Sequence, residues 1–315
     1  MTVTSFLKLV EIQTKVASAI PFILGTVYAL YRFEQFNLNN FILMFISLIA
    51  FDMTTTAINN YYDYKRAVRK HGYGYESHNA IVRYKLNENT VVLTIILLFL
   101  IAVVTGLLLF LNTSVVVLLI GMLSFLVGIL YSYGPVPISG TPLGEIFSGL
   151  FMGFVIVFLS VYIHVEGLTI ITIKLSHVIL SMQMNIKEIL LIFLISLPAV
   201  MGISNIMLAN NICDVEEDRE NNRFTLPIYV GKETALKAFK LSYYLVYLDM
   251  ALLLLMKVVP IVSIFSLFTL IPVYKNIRTF HQKQSKAETF VLAVKNFVLI
   301  NTAHITMLGL SIIMR

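Results

Sequence analysis

This sequence contains few charged residues for its length. Only 13% of its 315 residues are charged, 58% are hydrophobic, and the mean hydropathy is +0.86. Soluble domains carry about twice this share of charged residues. The scarcity of charge therefore excludes an ordinary soluble protein and indicates a chain embedded in a membrane.

Cysteine is nearly absent as well, since Cys213 is the only one in the sequence. A single thiol can form neither an intramolecular disulfide nor a metal site built from several cysteines. An intramolecular disulfide and a multi-cysteine metal site are therefore excluded, and we interpret Cys213 as a small filler residue.

The chain is rich in long apolar runs. A helix of about 20 apolar residues spans a bilayer, and helices are favoured there because backbone in lipid must satisfy its own hydrogen bonds. We count nine such runs, at about residues 15–32, 38–60, 91–111, 114–134, 144–164, 189–210, 238–257, 259–274 and 291–313. The sequence predicts an all-α membrane protein with nine transmembrane helices around a central cavity.

The basic residues set the predicted orientation. Most of the 23 Lys and Arg residues fall on one side of the membrane if the N-terminus of a nine-helix protein is cytoplasmic, as the positive-inside rule requires. The same bias argues against a tenth helix over residues 168–184, which would also place Lys174 and His177 at mid-membrane at a high cost. We interpret residues 168–184 as an outer-surface or re-entrant segment. The net charge of +6 is then a signal of topology rather than of nucleic-acid binding.

A polar motif occurs twice, about 150 residues apart. "NNYYDYKR" begins at Asn59 and "NNICDVEED" begins at Asn210, each where an apolar run meets a charged segment. In a nine-helix protein the motifs end the second and sixth helices on the same, cytoplasmic face. Residues spaced four, seven or eleven apart share one side of a helix. This spacing aligns two polar stripes, Asp52, Thr56, Asn59 and Asp63 on the second helix and Asn211, Asp214 and Asp218 on the sixth.

The chemistry of these stripes suits a metal bound to a phosphate group. Carboxylate and amide oxygens are the ligands that Mg²⁺ prefers, and Mg²⁺ commonly links one or two carboxylates to phosphate oxygens. Basic residues follow both motifs and suit the remaining phosphate charge. A cluster of helix-capping and snorkelling groups is the alternative, but two matching motifs on one face favour a site. The predicted metal ligands are Asn59, Asn60, Asp63, Asn210, Asn211, Asp214 and Asp218. The predicted diphosphate-binding residues are Lys15, Lys65, Arg66, Arg219 and Arg223.

The motifs and their surroundings resemble those of the UbiA superfamily of intramembrane prenyltransferases. Those enzymes have nine helices and two motifs of the form Asn-Asp-x-x-Asp-x-x-x-Asp, which end helices two and six. The stretches "VEIQTKVASAIPFILGT", "YSYGPVPISGTPLGEIFSGLFMG" and "DRENNRFTLPIYVG" are similar to the first helix of the family, to its Gly-Pro loop with the helix that follows, and to the segment after its second motif. The resemblance implies one prenyltransferase domain over residues 1–315, in which the cytoplasmic loops 61–90 and 211–237 form a catalytic cap. It also implies a multi-pass protein of the cell membrane, of the bacterial cytoplasmic kind.

Within the superfamily the chain resembles the branch that prenylates 1,4-dihydroxy-2-naphthoate in menaquinone biosynthesis. The stretch "ESHNAIVRYKL" is similar to the first cytoplasmic loop of that branch. This implies Mg²⁺-dependent transfer of a polyprenyl group from polyprenyl diphosphate to 1,4-dihydroxy-2-naphthoate, with loss of CO₂ and diphosphate, giving demethylmenaquinol. Asp63, Asp214 and Asp218 are then the expected catalytic carboxylates, and Arg83 and Asn79 the expected acceptor-binding residues.

Several alternatives remain open from the sequence. Asn60, Ala67 and Asn211 stand where the family pattern has acids, which leaves the number of Mg²⁺ ions open. The acceptor could instead be 4-hydroxybenzoate, haem or a chlorophyll precursor, and prenyl length and oligomeric state are not determined. A membrane carrier would also have intramembrane acids, although carriers place them near the midplane on broken helices. Asp52 lies about 16 Å from Asp63 by helical rise, so we expect it along the acceptor or prenyl path. Glu145 is expected to be an anion at a helix N-terminus.

Overall fold

Long apolar helices dominate the computed structural model of the chain, which describes residues 1–66, 79–165, 170–176 and 179–314. Within these ranges nine helices are long and apolar enough to cross a membrane, which confirms the predicted number. They are α1 (Ile12–Phe33), α2 (Leu38–Lys65), α3 (Glu88–Asn112), α4 (Val115–Ser132), α5 (Gly144–Tyr162), α6 (Ile186–Cys213), α7 (Lys232–Leu255), α8 (Ile261–Gln282) and α9 (Val291–Ile313). Short helices at Val3–Leu9, Ala80–Arg83, Val215–Glu220 and Leu226–Val230 lie between or before them. The cytoplasmic position of the N-terminus and the central cavity stay predictions.

Several helices extend beyond the apolar runs from which they were predicted, because hydropathy marks only the apolar centre of a helix. Helix α8 continues to Gln282, beyond the predicted end near residue 274, and α7 begins at Lys232 rather than near 238. The C-terminal part of α8, Leu270–Gln282, is amphipathic and buries Val273, Ile277 and Phe280, the last two in the added turns. This spacing of about four residues stabilises a helix whose other side is polar.

The described residues of the segment 168–184, namely 170–176 and 179–184, form no tenth helix. Strands β1 (Ile171–Ser176) and β2 (Ile179–Met184) pair in antiparallel fashion, with Ile171 opposite Met184 and Ser176 opposite Ile179. The all-α prediction missed this hairpin, although the β-branched run "TIITI" favours strands. Its position at the outer surface stays a prediction.

The chain forms two compact units, with boundaries within α1, within α2 and between α4 and α5. The first unit comprises residues 1–19 and 42–137, and the second comprises residues 20–41 and 138–315. In the first, Leu9 packs with Ala57, Ile81 and Val91. In the second, a larger core includes Leu208, Phe239, Tyr243, Phe280 and Ile300. A single prenyltransferase domain stays a prediction.

Close packing of α5 against α6 organises the second unit near the second polar motif. A Cβ added to Gly153 would lie only 2.5 Å from the Val200 Cα, and one on Gly149 would lie 2.8 Å from the Val200 carbonyl oxygen. Small residues four apart allow helix backbones to approach in this way. The same stretch, Gly149–Val155, is wound as a π-helix, a conformation common near functional sites. The contact fixes the start of α5 beside the last turns of α6.

Candidate active site

The first polar motif lies on the last turns of α2, in the first unit. Asn59 and Asp63 are exposed, and the Asn59 amide donates a hydrogen bond to Asp63 Oδ2 at 3.4 Å. Their separation of four residues places both side chains on one side of the helix. An amide and a carboxylate thus stand together at this helix end, as the sequence predicted.

Asn60 and Asn79 connect the end of α2 to its neighbours. The buried Asn60 amide donates to the Leu9 carbonyl oxygen at 3.1 Å and to Glu11 Oε1 at 3.2 Å. Asn79 donates to the Asn60 carbonyl oxygen at 2.9 Å, and its Oδ1 accepts from the Ile81 amide as the N-cap of Ala80–Arg83. Because the NH₂ group of Asn60 is engaged, its predicted role as a metal ligand depends on its amide oxygen alone.

Lys65 and Arg83, two basic residues near the first motif, are exposed. Lys65 pairs with Glu88 at 2.5 Å, and the guanidinium carbon of Arg83 lies 5.5 Å from the ring centroid of Tyr84. The side chain of Arg66 and all of residues 67–78 lie outside the described residues. Most of the predicted cap over residues 61–90, including the position of Ala67, therefore stays a prediction.

Lys15 forms a buried ion pair with Asp52 instead of an open cationic site. Its ammonium group donates to Asp52 Oδ1 at 2.6 Å, to the Asp52 carbonyl oxygen at 3.1 Å and to Thr56 Oγ1 at 2.7 Å. Ser18 donates to the other Asp52 oxygen at 2.5 Å. An ammonium has three donors, so all those of Lys15 are used. Binding of a diphosphate by Lys15, which stays a prediction, would require it to leave some of these partners.

We expect Asp52→Leu to lower the melting temperature of the protein strongly. The substitution leaves Lys15, 5% exposed, without a counter-ion, and breaking a buried pair from one side costs about 3–5 kcal/mol. The double variant Lys15→Met/Asp52→Leu removes both charges and should recover most of the loss. Thermal unfolding in detergent measures both. A double variant that is no more stable than Asp52→Leu would show that the pair is not the source of the effect.

The second polar motif spans the end of α6, in the second unit. Helix α6 ends at Cys213, and the short helix Val215–Glu220 begins after Asp214. The Asp214 amide still donates to the Asn210 carbonyl oxygen at 3.1 Å, and the Asp218 amide donates to that of Asp214 at 2.7 Å. Helical spacing therefore continues through the break and keeps these three residues on successive turns.

Each aspartate of the second motif has a cationic partner. Asp214 is paired with Lys286, from the segment between α8 and α9. Asp218 lies 3.2 Å from Nε of Arg223 and accepts a hydrogen bond from Thr225 Oγ1 at 3.1 Å. Burial raises the pKa of the Asp218 carboxyl above its ordinary value, and Arg223 and Thr225 oppose that rise. Arg219 is exposed on the short helix.

Sequence reasoning missed two participants of this site. Lys286 belongs to no motif, and only the fold shows that it reaches Asp214. Glu145 was interpreted as a helix N-terminal anion, yet its Oε1 accepts a hydrogen bond from the Asn211 amide at 2.9 Å. The acid in "PLGE" is the one signal that could have suggested its role.

The side-chain oxygens of the second motif are suitable ligands for a hard cation. Oδ1 of Asn211 is buried and has no hydrogen-bond partner among the described residues, so an acceptor oxygen remains for a ligand beside Asp214 and Asp218. Amide and carboxylate oxygens suit Mg²⁺. No group of three His, Cys, Asp or Glu side chains within the described part of the chain is arranged to hold a metal. Amide oxygens would therefore have to take part.

The family model described as the UbiA prenyltransferase family matches residues 18–300 of this chain. The chain belongs to this family. It is a prenyltransferase and a multi-pass membrane protein, as the sequence predicted. The chain is also 32% identical over 239 residues to the 1,4-dihydroxy-2-naphthoate octaprenyltransferase of Bacillus subtilis strain 168, over 75% of this chain and 69% of the relative.

Solved structures of UbiA proteins share the fold. A UbiA homologue from Archaeoglobus fulgidus bound to GPP and Mg²⁺ superposes with a TM-score of 0.65 at 18% identity, over 99% of this chain and 100% of the homologue. A digeranylgeranylglyceryl phosphate synthase gives 0.66 at 14% identity, over 97% and 98% of the two chains. At these identities the likeness concerns the fold alone.

Proposed function

We propose that this UbiA prenyltransferase transfers a polyprenyl group from polyprenyl diphosphate to 1,4-dihydroxy-2-naphthoate. CO₂ and diphosphate are lost, and demethylmenaquinol is formed at the cytoplasmic face of a cell membrane. The observation that carries the proposal is the 32% identity, over three quarters of the chain, to a protein named for octaprenyl transfer to this acceptor. The similarity of "NAIVR" at residues 79–83 to the naphthoate branch supports the same choice.

We propose that each of the two motifs supplies oxygen ligands for Mg²⁺. In the second motif they come from Asn210, Asn211, Asp214 and Asp218, and in the first from Asn59, Asn60 and Asp63. Mg²⁺, when bound, supplies Lewis acidity to the diphosphate. A UbiA homologue described as bound to GPP and Mg²⁺ supports the choice of cation.

In this proposal the basic side chains near the two motifs also bind the diphosphate. An allylic diphosphate ionises when the charge of its leaving group is neutralised, and lysine and arginine supply charge-assisted hydrogen bonds for this purpose. Lys286 and Arg223 now pair with Asp214 and Asp218. We propose that they turn from these carboxylates to the diphosphate when the donor binds. Lys15, Lys65, Arg66 and Arg219 are the further candidates.

The proposed reaction balances without a co-reactant. The allylic C–O bond breaks, and diphosphate leaves with the electron pair. A ring carbon of the naphthoate forms the new C–C bond, and the ring loses its carboxylate as CO₂. A proton released at one ring position is matched by a proton gained at another, so none is consumed.

We propose that the exposed guanidinium of Arg83 binds the acceptor carboxylate, and that Asn79 holds this arginine in place as the N-cap of its helix.

A competition between acceptors tests the proposed function. Purified protein is incubated with Mg²⁺, a polyprenyl diphosphate and equal amounts of 1,4-dihydroxy-2-naphthoate and 4-hydroxybenzoate, and the products are identified by mass spectrometry. Prenylated naphthoquinol is expected as the main product. Prenylated hydroxybenzoate alone would retain the reaction class and overturn the acceptor. Failure to consume the diphosphate with any aromatic acceptor would contradict the proposed reaction.

A further inference from the structure

Glu145 is a buried acid that the proposed reaction does not yet use. It is 4% exposed and lies in the first turn of α5. Its carbonyl oxygen accepts hydrogen bonds from Ser204 Oγ at 2.8 Å and from Ser148 Oγ at 3.0 Å. Together with the close packing of Gly149 and Gly153 on α6, these bonds hold Glu145 firmly against the helix that carries the second motif.

The contact of Glu145 with Asn211 determines how that amide is oriented. The Asn211 NH₂ group donates to Glu145 Oε1, so Asn211 Oδ1 points to the other side of the amide. This oxygen and Glu145 Oε2 are both buried, and neither has a hydrogen-bond partner among the described residues. Buried acceptors without partners are costly. Two such oxygens, on side chains that are hydrogen-bonded to each other, indicate a place where a cation or its water ligands are to be bound.

The charge of Glu145 is also uncompensated in the described part of the chain. None of the described ion pairs includes it, whereas Asp214 and Asp218 have Lys286 and Arg223. A divalent cation would supply both the missing counter-charge and a partner for the two oxygens that lack hydrogen bonds.

We propose that Glu145 is a positioning residue of the metal site in the second motif. It turns Oδ1 of Asn211 toward the cation and supplies the negative charge that an aspartate at position 211 would otherwise provide. The inference rests on the proposed Mg²⁺ site. Because Mg²⁺ keeps several water ligands, Glu145 can act through Asn211 and water without direct coordination, in agreement with the absence of a carboxylate triad among the described residues.

Mn²⁺ binding, followed by electron paramagnetic resonance on purified protein with inorganic diphosphate, tests this role apart from activity. Glu145→Gln keeps an oxygen that can accept from Asn211 but removes the charge. We expect its Mn²⁺ affinity to fall about 10- to 100-fold, the usual effect of losing an outer-shell partner of a metal. The double variant Glu145→Gln/Asn211→Asp moves the acid to position 211 and should recover affinity near that of the wild type. Glu216→Gln removes an exposed acid of the same segment that is not among the proposed ligands, and it is the matched control, with unchanged affinity expected.

The outcomes separate this inference from the proposed function. If Glu145→Gln folds and binds Mn²⁺ as the wild type does, Glu145 has only a structural role and the inference is wrong. If the wild type binds no Mn²⁺ with diphosphate present, the metal site itself is wrong, and the role of Glu145 is wrong with it. Should Glu145→Gln alone fail to fold, the double variant decides, since a folded double variant without Mn²⁺ binding overturns the inference.

Discussion

Replacing Asp214 or Asp218 by asparagine is expected to reduce the rate of prenyl transfer on the order of 100-fold or more, the typical loss when one preorganised electrostatic contact to the reacting groups is removed. Each substitution removes a negative charge from the proposed metal site. It also leaves Lys286 or Arg223 without the carboxylate that it now pairs with. Asparagine has nearly the same shape, and at position 218 it can still accept from Thr225. The loss should therefore appear in catalysis rather than in folding.

Initial rates at saturating donor and acceptor measure this effect, with thermal unfolding as the check on the fold. Glu216→Gln, which removes an exposed acid from the same short helix, is the control and should retain the wild-type rate. Asp63→Asn is expected to behave like Asp214→Asn, since Asp63 is the one carboxylate that the first motif retains. A folded Asp214→Asn variant with the wild-type rate would contradict the proposed site.

Removal of divalent metal ions by EDTA is expected to abolish activity completely while changing the melting temperature little. The reason lies in the pairing of Asp214 with Lys286 and of Asp218 with Arg223. Because the protein supplies its own counter-ions for these acids, we expect its fold not to need the metal, whereas the proposed ionisation of the diphosphate does. Excess Mg²⁺ should restore the rate.

Thermal unfolding with and without a polyprenyl diphosphate extends this test. A ligand that binds only the folded state raises the melting temperature, so Mg²⁺ and donor together should stabilise the protein more than either alone. Activity that survives chelation would remove the metal from the proposal. A large fall in melting temperature on chelation alone would show a structural metal instead.

The membrane helices and the family could be predicted from the sequence because both depend on local patterns. Apolar runs of about 20 residues identify helices such as α3 and α6 without knowledge of their neighbours. The motifs at Asn59 and Asn210, with the stretches around them, were enough for the resemblance to UbiA enzymes that the family match confirmed. The paired strands Ile171–Ser176 and Ile179–Met184 were missed because strand pairing depends on the partner strand as well as on composition.

The partners of the site residues were beyond prediction because they come from distant parts of the chain. Asp52 and Lys15, which were assigned to different tasks, are joined across 37 positions in the sequence. Asp214 and Lys286 are joined across 72, and Glu145 and Asn211 across 66. Spacing on a single helix reveals which residues share a side, but only packing between helices determines which charges meet.

The stoichiometry of CO₂ release is the most direct test of the proposed decarboxylating prenyl transfer. The acceptor 1,4-dihydroxy-2-naphthoate is labelled with ¹³C at its carboxylate and supplied to the purified protein with Mg²⁺ and a polyprenyl diphosphate. Labelled CO₂, diphosphate and prenylated product are then quantified in the same reaction. The account predicts equal amounts of all three and a product without the label. A prenylated product that retains the labelled carboxylate, or diphosphate release without a new C–C bond, would contradict it.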